Sequence, residues 1–218
     1  MSFSLGPRTP AHDGFRILTV CTGNICRSPM AEQYLRNGLH VSGVPGISVE
    51  SAGTMAQDGQ DMPDQAKALV RAHGVEPGRH SARYLFEGHV AGADLVFGMA
   101  REHRRDVVSM FPRAARYTFT LREFARLSQG LTLADLRDSA ALPPEDVAGR
   151  LRAAVAAVAA RRGAVEGPAD VLDEDVVDPY KRDDSVFTES GRQLVPAADT
   201  VVRVLTVAST VTKEQAML

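Results

Sequence analysis

The chain has 218 residues, of which 44% are hydrophobic and 24% are charged, and its formal net charge is −2 at pH 7. This composition suits one compact domain, and the small net charge argues against a general nucleic-acid binder, which usually carries an excess of basic residues. The sequence has no run of 18 apolar residues and no signal-peptide pattern at its start, so we expect no membrane span and a cytoplasmic protein.

The first ordered unit reads as a strand, a tight loop and a helix. Residues 15–20 are rich in β-branched side chains and predict a strand that ends at Cys21. After the loop, Ser28 suits a helix N-cap and Pro29 suits the first helical position, so we expect a helix to about residue 37.

The same alternation continues along the chain. Strands are predicted over 47–51, 94–98 and 116–119, and helices over 64–73, 102–110 and 144–162. A last helical element starts near Asp184, and Pro196 within it predicts a kink or two shorter helices. The pattern predicts a three-layer α/β fold with a mostly parallel sheet and helices on both faces, whose ligands bind beyond the carboxyl ends of the strands.

Composition also suggests how the chain is divided. Residues 1–14 hold few apolar side chains and predict a flexible leader. We expect a single domain over 15–208 with a helical insertion at about 129–170, followed by a tail over 209–218.

The loop after the first strand carries the chemistry. Its backbone N–H groups and the following helix N-terminus can form a nest for an anion, and Arg27 adds a planar fork that grips two phosphate oxygens. The same groups stabilise the thiolate of Cys21 over the thiol. Gly23 and Asn24 tolerate the unusual backbone angles that such a loop needs. The loop therefore predicts a nucleophile facing a tetrahedral oxyanion.

Cleavage of a phosphate ester also needs an acid for the leaving oxygen. Asp178 is the best candidate, because it follows a short apolar run and precedes the stiffening Pro179. Five neighbouring acids are rivals: Asp173, Glu174, Asp175, Asp183 and Asp184.

Several motifs together resemble one family. Residues 20–32, which read VCTGNICRSPMAE, look like the signature of the low-molecular-weight protein tyrosine phosphatases. Residues 51–54, 80–83 and 178–180 resemble three further motifs of that family, in the same order. The resemblance implies a four-stranded parallel sheet flanked by helices, a phosphoric monoester hydrolase, and neither a metal nor an organic cofactor.

The resemblance also implies a role for each motif residue. Cys21 would form a phosphocysteine, Arg27 would stabilise the transferring phosphoryl group, and Asp178 would act as acid and then as base. Tyr180 would form a wall of the substrate pocket. The phosphate-binding loop would comprise Thr22, Gly23, Asn24, Ile25, Cys26 and Arg27.

Supporting roles are implied for a second group of residues. Ser28 would hydrogen-bond the Cys21 thiolate, while Asn24, Ser51 and His80 would hold the loop in shape. Cys26 would form a reversible disulfide with the nucleophile, which protects a reactive cysteine from over-oxidation. The other histidines show no metal-ligand spacing and are interpreted as structural: His12, His40, His73, His89 and His103.

The substrate is less defined than the chemistry. The segment after Thr54 lacks the aromatic residue often found in the family, and Lys181 stands where a second aromatic is common. We expect a phosphorylated protein, most simply at tyrosine, or a small phosphate ester, with no nucleic acid and no membrane partner. The alternatives are an arsenate reductase that uses external thiols and a non-enzymatic oxyanion-binding module.

Overall fold

The computed structural model describes residues 13–217, and its centre is a four-stranded sheet. All neighbouring strands are parallel, in the order β2-β1-β3-β4. The strands are β1 (Phe15–Cys21), β2 (Ile47–Gly53), β3 (Leu95–Gly98) and β4 (Thr118–Thr120). The register pairs Cys21 with Gly53 and Val20 with Gly98, so the ends of three strands meet at one edge.

Helices cover both faces of this sheet, which confirms the predicted three-layer α/β fold. The helices are α1 (Arg27–Val41), α2 (Asp64–Ala72), α3 (Glu87–Gly92), α4 (Arg101–Met110), α5 (Leu121–Leu127), α6 (Arg137–Ala141), α7 (Val147–Ala160) and α8 (Asp184–Thr210). Short 3₁₀ turns lie at Pro112–Arg116, Ala134–Leu136, Val171–Glu174 and Gln215–Met217. Helix α8 packs against α1, α5 and α7 and closes the core behind the phosphate loop.

The start of α1 differs from the predicted one. The helix begins at Arg27 and its N-cap is Cys26, which makes no side-chain cap bond. Ser28 is not the cap, because its hydroxyl contacts the Cys21 sulfur and the Asn24 amide instead. The predicted cap was therefore wrong, since the loop uses this hydroxyl.

The end of the chain also differs. α8 is one continuous helix that contains Pro196, so of the two predicted alternatives the division into two shorter helices is wrong, and the kink stays a prediction. Proline inside a helix costs about 3 kcal/mol. Leu194, Ala197, Ala198 and Val201 on the two sides of this position are buried, and burying one large apolar side chain gains about 1.5–3 kcal/mol. The buried face outweighs the lost hydrogen bond.

The predicted insertion contains α6 and α7, and arginines tie α7 to the rest of the fold. Arg152 contacts Asp94 Oδ1 at 3.0 Å and the Gly14 carbonyl at 2.7 Å. The Arg162 guanidinium lies 4.0 Å from the centre of the Phe119 ring. These contacts anchor the insertion near the starts of β1 and β3 and on β4.

Both predicted chain ends lie partly outside this description. Residues 1–12 of the leader are outside the described residues, while in the tail Val211 and Ala216 are buried. The division into leader, single domain and tail stays a prediction.

Candidate active site

A small cavity opens where β1 ends. Its volume is about 140 Å³, which suits a group the size of a phosphate with part of its ester substituent. The cavity is lined by Cys21, Thr22, Gly23, Ile25, Cys26, Arg27, Met55, Gln57, Asp178 and Tyr180. The fold thus brings the predicted nucleophile, arginine, acid and aromatic wall to one place.

Cys21 lies at the bottom of this cavity and is 3% exposed. Its sulfur is 3.0 Å from the Ser28 hydroxyl, and the Asn24 backbone N–H donates to the sulfur at 3.3 Å. Hydrogen bonds to a thiolate stabilise the charged form. The two contacts therefore favour a nucleophilic sulfur.

The backbone carbonyls of the loop are held by the segment after β2. Backbone N–H groups of Thr54, Met55 and Gln57 donate to three successive carbonyls, those of residues 21, 22 and 23, each at 2.9 Å. These oxygens are therefore directed to that segment rather than to an anion in the cavity. Gly53 permits the close approach, because a Cβ there would lie 2.5 Å from the Thr22 oxygen.

Asn24 is the centre of the loop. Its φ of +54° is in the left-handed region that asparagine tolerates better than most residues. Its side-chain N–H groups donate to Ser28 Oγ at 3.0 Å and to Ser51 Oγ at 2.9 Å, and its side-chain oxygen accepts from the Arg83 backbone N–H at 2.9 Å. The His80 imidazole contacts the Asn24 carbonyl at 2.6 Å.

A buried carboxylate extends this network. Ser51 Oγ donates to Glu32 Oε2 at 2.5 Å, and Glu32 pairs with Arg36 one helical turn later. Sequence analysis missed Glu32. Its position four residues after Ser28, on the same face of α1, was the available signal.

Arg27 joins the loop to the acid segment. Its Nη2 donates to Asp178 Oδ2 at 2.7 Å, and its Nη1 donates to the Val176 carbonyl at 3.2 Å. The arginine side chain is 5% exposed and the Asp178 side chain 49% exposed. The guanidinium therefore lies in the protein, while the carboxylate faces the open side of the cavity.

The rival acids lie away from the cavity lining. Asp175 accepts from the Arg101 backbone and guanidinium, and Glu174 pairs with Arg126 at 2.5 Å. Asp173, Asp183 and Asp184 are exposed and do not line the cavity. Among these acids Asp178 alone is placed to reach a group bound by Arg27.

Cys26 differs from Cys21 in its surroundings. Burial, with smaller contributions from Cys21 and Asp178, raises the pKa of its thiol to about 12, although Arg27 acts in the opposite direction. Cys26 is therefore a neutral thiol near pH 7 and a poor nucleophile there. Both cysteines are unpaired in the structure, and the disulfide between them stays a prediction.

His103, which the sequence indicated to be a structural histidine, has a contact with the phosphate loop that sequence analysis missed. It is 1% exposed, and its Nε2 lies 2.9 Å from Thr22 Oγ1. Burial, and then the nearby Arg27 charge, lower the pKa of this imidazole to about 3, while Asp175 acts in the opposite direction. It is a neutral group beneath the phosphate loop.

The mouth of the cavity is partly apolar. Tyr180 is 38% exposed and Met55 is 68% exposed. Lys181 has a φ of +56° and places its ammonium 5.1 Å from the centre of the Tyr180 ring.

The described residues were searched for metal-binding groups and for membrane-spanning helices. Over residues 13–217 there is no group of three or more histidine, cysteine or acidic side chains placed to hold a metal ion. Within the same part of the chain, no helix combines the length and the apolar character that crossing a membrane requires.

The fold and the cavity define a class of protein. A cysteine and an arginine six residues later lie in a loop between a parallel strand and a helix, with a carboxylate opposite, and this is the arrangement that the chemistry of a cysteine-dependent phosphatase requires. Comparisons with known proteins agree. A sequence model described as low molecular weight phosphotyrosine protein phosphatase matches residues 16–142, more than half of the chain. The chain belongs to this family.

Two relatives illustrate the range of activities. A protein-arginine-phosphatase of Geobacillus stearothermophilus is 39% identical over 116 residues, which cover 53% of this chain and 75% of that protein. A probable low molecular weight protein-tyrosine-phosphatase, EpsP, of Ralstonia solanacearum is 38% identical over 107 residues, which cover 49% of this chain and 70% of the relative. These findings favour a phosphatase over the reductase and the binding module.

Solved structures show the same architecture. The YwlE arginine phosphatase from Geobacillus stearothermophilus matches with a TM-score of 0.59 and 27% identity, over 87% of this chain and 91% of that one. Asp178 lies beyond the residues matched by the family's sequence model, so its assignment depends on the geometry around Arg27.

Proposed function

We propose that this chain hydrolyses phosphate monoesters of phosphorylated proteins, with phosphotyrosine as its substrate residue, through a phosphocysteine intermediate. One observation carries the proposal. The Cys21 sulfur, the Arg27 guanidinium and the Asp178 carboxylate line one cavity, with hydrogen bonds to the sulfur and an arginine–carboxylate contact of 2.7 Å.

In the first step, the Cys21 thiolate attacks phosphorus and the bond from phosphorus to the ester oxygen breaks. Asp178, in its protonated form, gives its proton to that leaving oxygen. Arg27 and the loop N–H groups stabilise the charge on the three equatorial oxygens in the transition state. The products of this step are the free alcohol or phenol and phosphocysteine.

In the second step, water attacks the phosphocysteine. The Asp178 carboxylate takes a proton from the water, the phosphorus–sulfur bond breaks, and phosphate and the thiolate are released. Ser28 stabilises the departing thiolate through its hydroxyl at 3.0 Å. Activity needs Cys21 deprotonated and Asp178 protonated at the start, so we expect a bell-shaped pH profile.

The cavity walls support an aromatic substituent. Ile25, Met55 and Tyr180 give the lining an apolar side on which a phenyl ring can pack. A phosphorylated guanidinium would need acceptors along the wall, and Asp178 is the one carboxylate in the described lining. Phosphoarginine is the second candidate, because the first relative above is a protein-arginine-phosphatase.

The experiment compares hydrolysis of para-nitrophenyl phosphate by the wild type and by Cys21→Ser, with a metal chelator present. Phosphotyrosine, phosphoserine and phosphoarginine peptides of one sequence context are assayed in parallel. We expect turnover that the chelator does not change, its loss in Cys21→Ser, and a preference for phosphotyrosine. Acid quenching during turnover should yield a phosphoryl adduct on the peptide that carries Cys21.

Two results would contradict the proposal. Absence of turnover by the reduced wild-type protein would contradict the proposed phosphatase activity. Arsenate reduction with external thiols would then be assayed. Preference for the phosphoarginine peptide would be consistent with the proposed phosphatase mechanism but would replace phosphotyrosine by phosphoarginine as the substrate residue.

We further propose that the chain acts in the cytoplasm without a nucleic-acid or membrane partner. The small net charge and the two unpaired cysteines support this setting.

A further inference from the structure

His103 is the buried titratable group for which the mechanism above has no use. It lies in the first turn of α4, and its Nε2 is 2.9 Å from the hydroxyl of Thr22, the residue directly after the nucleophile. We propose that His103 is a positioning residue for the phosphate loop, and that it holds Thr22 as a neutral imidazole whose proton is on Nε2. The proposal rests on the phosphatase function proposed above.

The loop is anchored on several sides. The segment 54–57 holds the carbonyls of its first residues, and His80 and Arg83 hold Asn24. The contact between His103 and Thr22 adds an anchor from α4. Without it, the Thr22 side chain can turn, and the loop beside the Cys21 sulfur keeps only its backbone anchors from the segment 54–57.

The position of the proton follows from the other ring nitrogen. Nδ1 of His103 is buried and has no hydrogen-bond partner among residues 13–217. A proton on Nδ1 would leave a buried N–H donor without an acceptor, which is rarer in proteins than an unpaired acceptor. A proton on Nε2 meets the Thr22 oxygen instead. His103 is then the donor and Thr22 Oγ1 the acceptor.

Charged groups around the ring keep it neutral. The Arg27 guanidinium in the loop disfavours a second cation, and Asp175 in the acid segment acts in the opposite direction. On α4 itself, Glu102 Oε1 lies 3.5 Å from Nε2, but that side chain is 57% exposed and is screened by water. Burial and Arg27 prevail, so the contact with Thr22 persists at acidic pH.

The test is a double-mutant cycle with Thr22→Val, His103→Leu and the double variant. We expect each single variant to lose about five- to tenfold in kcat/KM for para-nitrophenyl phosphate, the size of one net hydrogen bond. The double variant should lose no more than either single one. Additive losses would overturn the proposal.

Two further readouts separate positioning from general stability. His103→Gln keeps an N–H donor at this position and should recover most of the activity that His103→Leu loses. Inhibition by vanadate, which takes a transition-state-like geometry, should weaken in parallel with kcat/KM, while inhibition by inorganic phosphate weakens less. Equal weakening of both, or a Gln variant as poor as the Leu variant, would contradict the proposal.

Spectroscopy tests the ring without turnover. Nitrogen-15 spectra of the wild-type imidazoles should show His103 neutral with its proton on Nε2, unchanged between about pH 5 and about pH 8. A charged ring, or a proton on Nδ1, would overturn the assignment. If the wild-type protein has no turnover, the phosphatase proposal is contradicted. The spectra still determine the protonation state of His103 in that case.

Discussion

The phosphate loop over 21–27 and the acid segment over 175–180 face the same cavity but are held differently. In the loop, Asn24 is fully buried and uses both amide N–H groups, its side-chain oxygen and its carbonyl in hydrogen bonds. In the acid segment, the Asp178 side chain is 49% exposed and its oxygens bind Arg27 and the Tyr180 backbone N–H.

This difference separates a preorganised half of the site from an exchangeable one. The loop is in place before substrate arrives. An incoming phosphate must compete with Asp178 for Arg27, and an ion pair with one half-exposed partner is weak. Breaking the contact between Arg27 and Asp178 therefore costs little free energy, and it leaves Asp178 free to contact the leaving oxygen. The predictions below test the two halves separately.

The largest effect is expected at Arg27, which serves both halves. Arg27→Lys removes the planar fork and its two parallel contacts, so kcat should fall by about 10²–10³, the cost of losing one oxyanion donor. Steady-state kinetics with para-nitrophenyl phosphate measure it. Arg182→Lys, at an exposed position near the same segment, is the matched control. A similar loss in both variants would count against the assigned role.

Asp178→Asn removes the acid alone. For phosphate esters with poor leaving groups we expect kcat to fall by about 10², and for good leaving groups much less, because the proton matters less there. A series of aryl phosphates measures the dependence. Asp173→Asn changes an exposed neighbour, and in this variant kcat should depend on the leaving group as it does in the wild type. A uniform loss across leaving groups in Asp178→Asn would point to another acid.

Asn24→Ala tests the rigid half through stability. It leaves Ser51, Ser28 and the Arg83 N–H without a partner, and the free energy of unfolding should fall by about 2 kcal/mol or more. Asn24→Gly removes the same bonds but accepts the positive φ, so it should be about 1 kcal/mol more stable than the alanine variant. Urea unfolding measures both. Equal stability of the two variants would show that φ carries no cost.

The buried imidazole gives a pH dependence of stability. Because the pKa of folded His103 is about 3, below the usual value, the unfolded chain takes up the proton first as pH falls. Stability is thus retained above about pH 6.5 and lost below it, by about 2 kcal/mol at pH 5. Unfolding of the wild type and of His103→Gln at both pH values isolates this difference. Parallel losses in the two proteins would contradict the buried neutral ring.

The smallest effect is expected at the rim. Tyr180→Ala removes part of the apolar wall and should raise KM for aryl phosphates by about fivefold with little change in kcat, since stacking contributes about 1 kcal/mol. Tyr180→Phe keeps the ring and should resemble the wild type. Unchanged KM in Tyr180→Ala would remove this residue from the pocket wall.

Sequence predicted most of the loop because its signals are local. The strand before Cys21, the glycine and asparagine within the loop, and Arg27 at the start of a helix all lie within a few residues of each other. The mostly parallel sheet and the helical layers followed from the alternation of elements, whereas the order of the strands in the sheet was not predicted.

The missed features depend on distant contacts. His103 and Thr22 are 81 residues apart in the sequence, and no local pattern around either residue predicts that they are in contact. The local effect of Pro196 left a single helix and two shorter helices both open, whereas the face buried on both sides of Pro196 favours the single helix. The cap at Ser28 failed because its hydroxyl binds a sulfur outside the helix.

The distance along the chain between Arg27 and Asp178, 151 residues, has a consequence for synthesis on the ribosome. At roughly 5–20 residues per second, the nucleophile loop emerges roughly 8–30 s before the acid. Helix α8, which packs against α1, emerges later still. For that interval the growing chain carries its reactive cysteine at the end of β1, six residues before a helix whose packing partner has not yet been made.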